Sequence, residues 1–334
     1  MSKEFNVAIA GATGAVGIEM IKTLENRNFP VKNLRLLASK RSAGKTMTFK
    51  GTEITIEELT EDSFKDIDIA LFSAGSDISK KFRKAVVDAG AVMIDNSSAF
   101  RMEDDVPLIV PEVNPEDVKL HNGVIANPNC STIIMLVAVA PLHKAKKLKR
   151  LVAATYQATS GAGAKGMAEL EMQTRQLLNE EAISPEAFAH RIGFNLIPHI
   201  DSFYDNGYTK EELKMLFETR KMLHDDNLQV SCTCVRVPIM RAHSEALNLE
   251  FENEVTPEEA RKILAGAPGV IVVDDPAKLE YPMPIDATNQ DDILVGRIRQ
   301  DISRNDKCGL DIFVSGDQVL KGAALNAVQI AELL

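Results

Sequence analysis

Apolar and polar positions follow two styles along the chain, and the style changes near residue 130. FNVAIA at 5–10 is a short continuous apolar run, followed by GATGAVG and a helix-periodic segment through about Leu24. LRLLAS (34–39), IDIALFSAG (67–75) and AVMIDNSS (91–98) each read as buried strands, with a helix through Val87 between the last two. MTFKGTEITI reads as a hairpin turning near Gly51. Short, fully apolar strands alternating with helices predict a parallel, doubly wound α/β sheet of the Rossmann type.

Beyond residue 130 the strands lengthen. IIMLVAVAPL predicts a buried helix, and strands are expected at 148–159, 229–237, 243–252, 292–301 and 308–316. Further helices are expected near 164–179 and 209–223, and long strands interleaved with few helices predict an α+β domain with a mixed or antiparallel sheet. VLKGAALNAVQIAELL at the end of the chain reads as a helix with a small-residue face. The expected organisation is a dinucleotide-binding domain at 1–129, a second domain at 130–315, and a C-terminal helix at 316–334 returning to the first. No internal repeat interrupts it.

Composition narrows the function classes. A formal net charge of -10 supplies no basic excess to neutralise phosphates, which argues against general nucleic-acid binding. Small anionic ligands need only a few local cations and stay open. The cluster Lys144, Lys146, Lys147, Lys149 and Arg150 reads as a solvated helix end. Cys130, Cys232, Cys234 and Cys308 match no zinc spacing, and a chain of this size needs no disulfide framework, so no metal is expected. Cys232 and Cys234 alternate onto one strand face as packing. The N-terminus has no signal-peptide layout, and the uncharged run at 130–142 is shorter than the roughly 20 residues that span a bilayer. The cytoplasm, without membrane association, is the expected location.

Two stretches carry candidate chemistry. In ANPNCST (126–132), Asn127-Pro128 reads as a turn and Asn129 as a helix N-cap, which places Cys130 in the first helical turn. Helix-start amides and the helix dipole lower a thiol pKa from about 8.5 and favour the thiolate. GATGAVG spaces glycines at 11, 14 and 17 between a strand and a helix, the context in which backbone amides cradle a pyrophosphate. An NAD site usually presents an acid after the second strand. Here Ser39-Lys40-Arg41-Ser42 offers hydroxyls and cations instead, which suits the 2′-phosphate of NADP.

GATGAVG, RSAGK (41–45), DNSSAFR (95–101), VPEVN (110–114), NPNCST (127–132), YQATSGAG (156–163), FNLIPHID (194–201), CVRVP (234–238) and RAHSEA (241–246) occur in that order. Together they resemble the aspartate-β-semialdehyde dehydrogenase family across essentially the whole chain. The resemblance implies NADPH-dependent reductive dephosphorylation of β-aspartyl phosphate to aspartate semialdehyde, releasing phosphate, through a Cys130 thioester. That step serves lysine, threonine, methionine and isoleucine biosynthesis. It further implies His243 as the acid–base residue, with Gln157 and Asn129 lining the acyl site. Arg236 matches the contact to the substrate carboxylate, Glu218 the contact to its ammonium, and Lys221 with Arg101 the contacts to phosphate. Cofactor positions carried over are Gly11, Thr13, Gly14, Ala15, Val16, Ser39, Arg41, Ser42, Ser73, Ala74, Gly75, Ser160, Gly161 and Asn326. A homodimer built on the second domain is expected.

His121, His143, His190 and His224 read as ordinary histidines, and His199 as a structural hydrogen-bonding residue. Two positions depart from the family pattern: Ser76 within SAGS, and Arg220 beside Lys221. The alternatives are an N-acetyl-γ-glutamyl-phosphate reductase, whose acylated nitrogen leaves Glu218 without an ammonium partner, and a catalytically inactive dinucleotide-binding relative.

Overall fold

A computed structural model describes residues 3–334 and divides into two compact units. Among the described residues, those up to 129 together with 323–334 form one, and residues 130–322 the other. The first contains β1 (Phe5–Ala10), α1 (Ala15–Asn26), β2 (Val31–Ala38), β3 (Thr46–Phe49), β4 (Thr52–Glu58), β5 (Ile69–Phe72), α2 (Ser76–Asp88), β6 (Val92–Asp95) and β7 (Val124–Ala126). They form one sheet in the order β3-β4-β2-β1-β5-β6-β7, parallel except for the β3–β4 hairpin. The largely apolar runs of β1 and β5 suit central parallel strands covered on both faces. Strand order reverses between β1 and β5, and the carboxyl ends flanking that switch point are where such sheets bind ligands.

The second unit contains α3 (Cys130–Lys146), β8 (Leu148–Gln157), α4 (Gly163–Leu178), α5 (Lys210–Leu223), β9 (Gln229–Arg236), β10 (His243–Phe251), α6 (Pro257–Ala265), β11 (Val270–Val272), α7 (Pro284–Ala287), β12 (Ile293–Gln300) and β13 (Gly309–Gly316). Its sheet runs β11-β12-β13-β10-β8-β9 and is mixed: β12, β13, β10 and β8 are antiparallel neighbours, while β8–β9 and β11–β12 are parallel. The buried helix α3 lies across β8, β10, β12 and β13. Gly316 permits that approach, since a Cβ there would sit 3.0 Å from Ile134 Cγ1 and 2.4 Å from Ile293 Cδ1.

Helix α5 begins with a capping box between Thr209 and Glu212, which satisfies two orphan amides. Glu212 Oε1 also accepts from the Cys234 backbone N–H at 3.0 Å, tying α5 to β9. The tail is not one continuous α-helix. A π-helical turn at Leu320–Ala324 precedes α8 (Leu325–Glu332). The small face of α8 joins the core of the first unit through Ala324, Ala327, Val328 and Ala331, and Arg27 grips Glu332 by two bonds of 2.6 and 2.7 Å.

Candidate active site

Sheet register brings four strand ends together in the second unit. Gln157 ends β8 and pairs with Arg236, which ends β9, while His243 opens β10 opposite Gly316 at the end of β13. Because Ser244 pairs with Tyr156, the antiparallel step beyond places His243 beside Gln157. All three polar side chains are buried. The turn 158–161 closes over them, fixed by Thr159 N–H and Ser160 N–H donating to the carbonyls of Ile239 and Met240. A Cβ on Gly161 would lie 2.7 Å from an Arg236 guanidinium nitrogen and 3.3 Å from His243 Nε2, so the turn packs its backbone against both groups.

Cys130 is the first residue of α3, partly exposed, where the helix dipole favours negative charge. It is near enough to Arg236 for its negative charge to act on the guanidinium. Burial lowers the Arg236 pKa, and the carboxylate of Glu211, followed by Cys130, opposes that shift. The attraction is mutual, so Arg236 stabilises a thiolate at Cys130. Cys232 and Cys234 lie in the opposite situation, with burial raising their thiol pKa values far above the ordinary range. His243 has no exposed surface, and burial together with Arg236 holds its pKa well below the usual histidine value. The Ala158 N–H donates to its Nδ1 at 3.0 Å, so the neutral ring carries its proton on Nε2. That nitrogen has no hydrogen-bond partner among the described residues and is a donor in waiting.

Gln157 is oriented at both ends: Thr155 Oγ1 donates to its Oε1 at 3.0 Å, and its Nε2 donates to Glu211 Oε1 at 3.2 Å. Glu211 and its partner Lys214 had escaped the sequence reading. The only signal available was the spacing of Glu211, Lys214, Glu218 and Lys221, which lines them along one face of α5. Glu218 is fully buried and Lys221 half-buried on this helix, which packs against β9 and α3. Arg220, the departure beside Lys221, donates from Nε to the Leu228 carbonyl and so secures the end of α5. His199 makes no hydrogen bond among the described residues. It stacks on Phe203 at 4.5 Å instead, which corrects the expected hydrogen-bonding role, because an adjacent aromatic face covers the ring. His121 and His143 accept from the backbone at Gly123 and Leu148, as ordinary structural histidines do.

In the first unit, Arg101 is buried and donates to the carbonyls of Asn127 and Asn96, both at 2.9 Å. Asn129 is buried immediately before Cys130. Asn326 is fully buried and donates to Ile109 O and Asn127 Oδ1, bracing the segment that leads to Asn129.

Of the positions expected to bind cofactor, Ser160 and Gly161 lie in the turn after β8 and Asn326 in α8, and the others lie on the loops following β1, β2 and β5 or at the helix starts there. Gly11 has φ of 87° and approaches Ser73 so closely that a Cβ would meet its carbonyl oxygen at 2.2 Å. Gly14 is the N-cap of α1, its own N–H donating to the Gly11 carbonyl at 2.9 Å; no side chain caps the helix and no acid follows in its first turn, which leaves the helix-start amides of Ala15 and Val16, beside Thr13, to present to a ligand. Gly75 is likewise an N-cap without a side-chain cap, for α2 and beside Ser73 and Ala74, although Asp77 places an acid in that helix's first turn. Ser39 and Arg41 are exposed, Ser42 is buried in the same turn, and no carboxylate occurs among residues 39–42. A cradle that only glycine permits, uncapped amides and an exposed guanidinium fit a phosphorylated dinucleotide. The unusual Ser76 hydroxyl lies 3.2 Å from Ser98 Oγ and ties the α2 loop to the neighbouring one.

Known proteins match this chain along its whole length. Residues 6–121 match the semialdehyde dehydrogenase NAD-binding domain, and residues 139–321 the semialdehyde dehydrogenase dimerisation domain. Aspartate-semialdehyde dehydrogenase of Aquifex aeolicus is 56% identical over 334 residues, covering 99% of this chain and 98% of that one. The crystal structure of aspartate semialdehyde dehydrogenase II from Vibrio cholerae complexed with ASA superposes with a TM-score of 0.97 at 46% identity, over 100% of this chain and 98% of that one. A Candida albicans aspartate semialdehyde dehydrogenase with NADP gives a TM-score of 0.77 at 26% identity, over 99% and 98%.

Proposed function

The chain belongs to the aspartate-semialdehyde dehydrogenase family of NADP-dependent oxidoreductases, and from that premise we propose how its own residues carry the reaction. Cys130 is the nucleophile. Its Sγ attacks the acyl carbon of β-aspartyl phosphate, the bond from that carbon to the phosphate oxygen breaks, and phosphate leaves a thioester on the enzyme. When bound, the dinucleotide supplies the hydride that takes the acyl group to the aldehyde oxidation level. Breaking the C–S bond then releases aspartate semialdehyde and returns the thiolate.

Arg236 serves twice. It lowers the cost of the Cys130 anion, and the part of its guanidinium not donating to the Ala158 carbonyl is free to fork onto the substrate carboxylate. His243 donates from Nε2–H to the substrate oxygen as that oxygen gains negative charge, a role suited to a buried ring kept neutral at physiological pH. Gln157 orients the acyl group, and Glu218 takes the free ammonium. Lys221 and Arg101 are the phosphate-binding cations, and Asn129 completes the acyl surroundings. Ser160 and Gly161, with Gly11, Thr13, Gly14, Ala15, Val16, Ser73, Ala74, Gly75 and Asn326, form or brace the cofactor contacts. Ser39, Arg41 and Ser42 receive the 2′-phosphate.

The observation that carries this reading is the meeting of Arg236 and His243, at the ends of neighbouring strands, under the Gly161 turn, with Cys130 at the start of α3 acting on the Arg236 guanidinium. An N-acetylated substrate would leave Glu218 without its charge partner, and the full-length relatives share the aspartyl name. The enzyme acts as a homodimer through its second domain, where Tyr156 is exposed beside Phe313 on the outer sheet face. No helix among the described residues is long and apolar enough to cross a membrane, and four free thiols suit the cytoplasm. The test supplies aspartate semialdehyde, phosphate and NADP and follows NADPH absorbance. Turnover should depend on all three and fall away with N-acetylglutamate semialdehyde. Equal rates with the acetylated aldehyde would overturn the substrate assignment.

A further inference from the structure

Helix α5 carries two charged pairs on one face, Glu211 with Lys214 and, two turns on, Glu218 with Lys221. The second pair belongs to the substrate contacts above; the first has no assigned work. Glu211 is only 6% exposed, yet both of its carboxylate oxygens have partners of different kinds. Oε1 accepts from Gln157 Nε2 at 3.2 Å, and Oε2 from Lys214 Nζ at 3.0 Å. Lys214 also reaches Asp201 at 2.9 Å, so its cation is held between two carboxylates. Gln157 is the register partner of Arg236 across β8 and β9, so Glu211 stands one side chain from that guanidinium, and its negative charge opposes the lowering of the Arg236 pKa by burial.

We propose that Glu211 is a positioning residue for this site: it orients the Gln157 amide and, with its charge moderated by Lys214, sets how strongly Arg236 draws the substrate carboxylate. The inference rests on the roles given above to Gln157 and Arg236. A buried anion beside a buried guanidinium keeps the guanidinium charged and ordered before substrate arrives. The same anion competes with the substrate for the field of that guanidinium, and Lys214 limits the competition. Glu211 acts only through these neighbours and has no contact with the reacting atoms.

Charge, rather than shape, is therefore what the test changes. In the full-length enzyme at about pH 8, where carboxylates remain ionised, saturation with aspartate semialdehyde is compared for Glu211→Gln, Lys214→Met and the double variant. Glu211→Gln should lower KM by about threefold to tenfold, as expected for removing one unit charge near a partly buried partner. It should also lower kcat, because Gln157 loses a charged acceptor. Lys214→Met should raise KM by a similar factor by exposing Arg236 to the full Glu211 charge. The double variant should behave as Glu211→Gln, since the charge that Lys214 moderates is gone. NADP affinity and Tm, measured on every variant, separate these shifts from unfolding. Should Glu211→Gln fail to fold, the KM shift of Lys214→Met still decides, because that cation sits at the solvent edge. KM shifts of the same sign in both single variants, or unchanged KM in both, would overturn the positioning role. Wild-type turnover is a separate control: its absence would overturn the site assignment itself.

Discussion

Substituting Gly161 by alanine probes the active-site geometry with a single methyl group. The backbone of Gly161 lies outside the left-handed region that disfavours alanine, so conformational strain is not at issue. The added Cβ would meet the Arg236 guanidinium at 2.7 Å, against an ordinary contact near 3.4 Å, so the two must part by about 0.7 Å. Arg236 has little room to yield, since it is buried and bonded to the Ala158 carbonyl at 2.6 Å. The same methyl sits 3.3 Å from both Cε1 and Nε2 of His243. A displacement approaching 1 Å in a positioning group costs on the order of a hundredfold in rate. Overpacking costs about 1–3 kcal/mol, partly offset by roughly 0.4–1 kcal/mol from the lower entropy of the unfolded chain. The expected result is a kcat/KM for aspartate semialdehyde down by about two orders of magnitude, with Tm lowered by only a few degrees. Turnover within twofold of wild type would refute the placement of Arg236 and His243 at the reacting group.

Cys130→Ser should fold and bind NADP but lose nearly all activity, and iodoacetamide should modify Cys130 well before Cys232 and Cys234, whose thiols burial keeps protonated; peptide mapping reads this directly. Arg41→Ala should weaken NADP by about 1.5–3 kcal/mol, roughly ten- to more than a hundredfold, while leaving NAD nearly unchanged; an unaltered ratio of the two KM values would place the 2′-phosphate elsewhere. Glu245 is fully buried with neither oxygen hydrogen-bonded among the described residues, and burial raises its pKa well above the usual value. The folded state thus binds more protons than the unfolded one above about pH 4.5, and wild-type stability falls as pH rises toward the folded-state pKa. Glu245→Gln removes that term, so its unfolding free energy relative to wild type should rise as pH increases from about 5 toward 8, by about 1.4 kcal/mol per pH unit at most, as read by denaturant melts; a pH-independent difference would mean that Glu245 is solvated.

Much of this molecule was legible in the sequence because its elements are locally consistent. The apolar runs of β1 and β5, GATGAVG, and the missing acid after β2 each rest on neighbouring residues, and so does Cys130 ahead of an apolar helix. His243 was not legible in that way. In its strand it looks like any alternating polar residue, and only pairing beyond Ser244 and Tyr156 brings it beside Gln157. Its tautomer depends on the amide of Ala158, eighty-five residues away, and no local pattern encodes such a contact. Glu211 escaped for the same reason: its bond to Lys214 is a local helix pair, but Gln157 sits on β8 and meets Glu211 only after α5 docks on the sheet. The π-helical turn at Leu320–Ala324 also hid inside a segment whose composition simply favours helix.

The thioester on Cys130 is the claim on which the rest depends, and trapping it is the most direct measurement. Enzyme is mixed with aspartate semialdehyde and NADP in the absence of phosphate, quenched in acid, and mapped by mass spectrometry. Hydride transfer without an acceptor for the acyl group should leave one aspartyl group on Cys130, together with a stoichiometric burst of NADPH. Added phosphate should discharge that adduct and restore turnover. An adduct on another residue, or a full NADPH burst with Cys130 unmodified, would contradict the covalent mechanism.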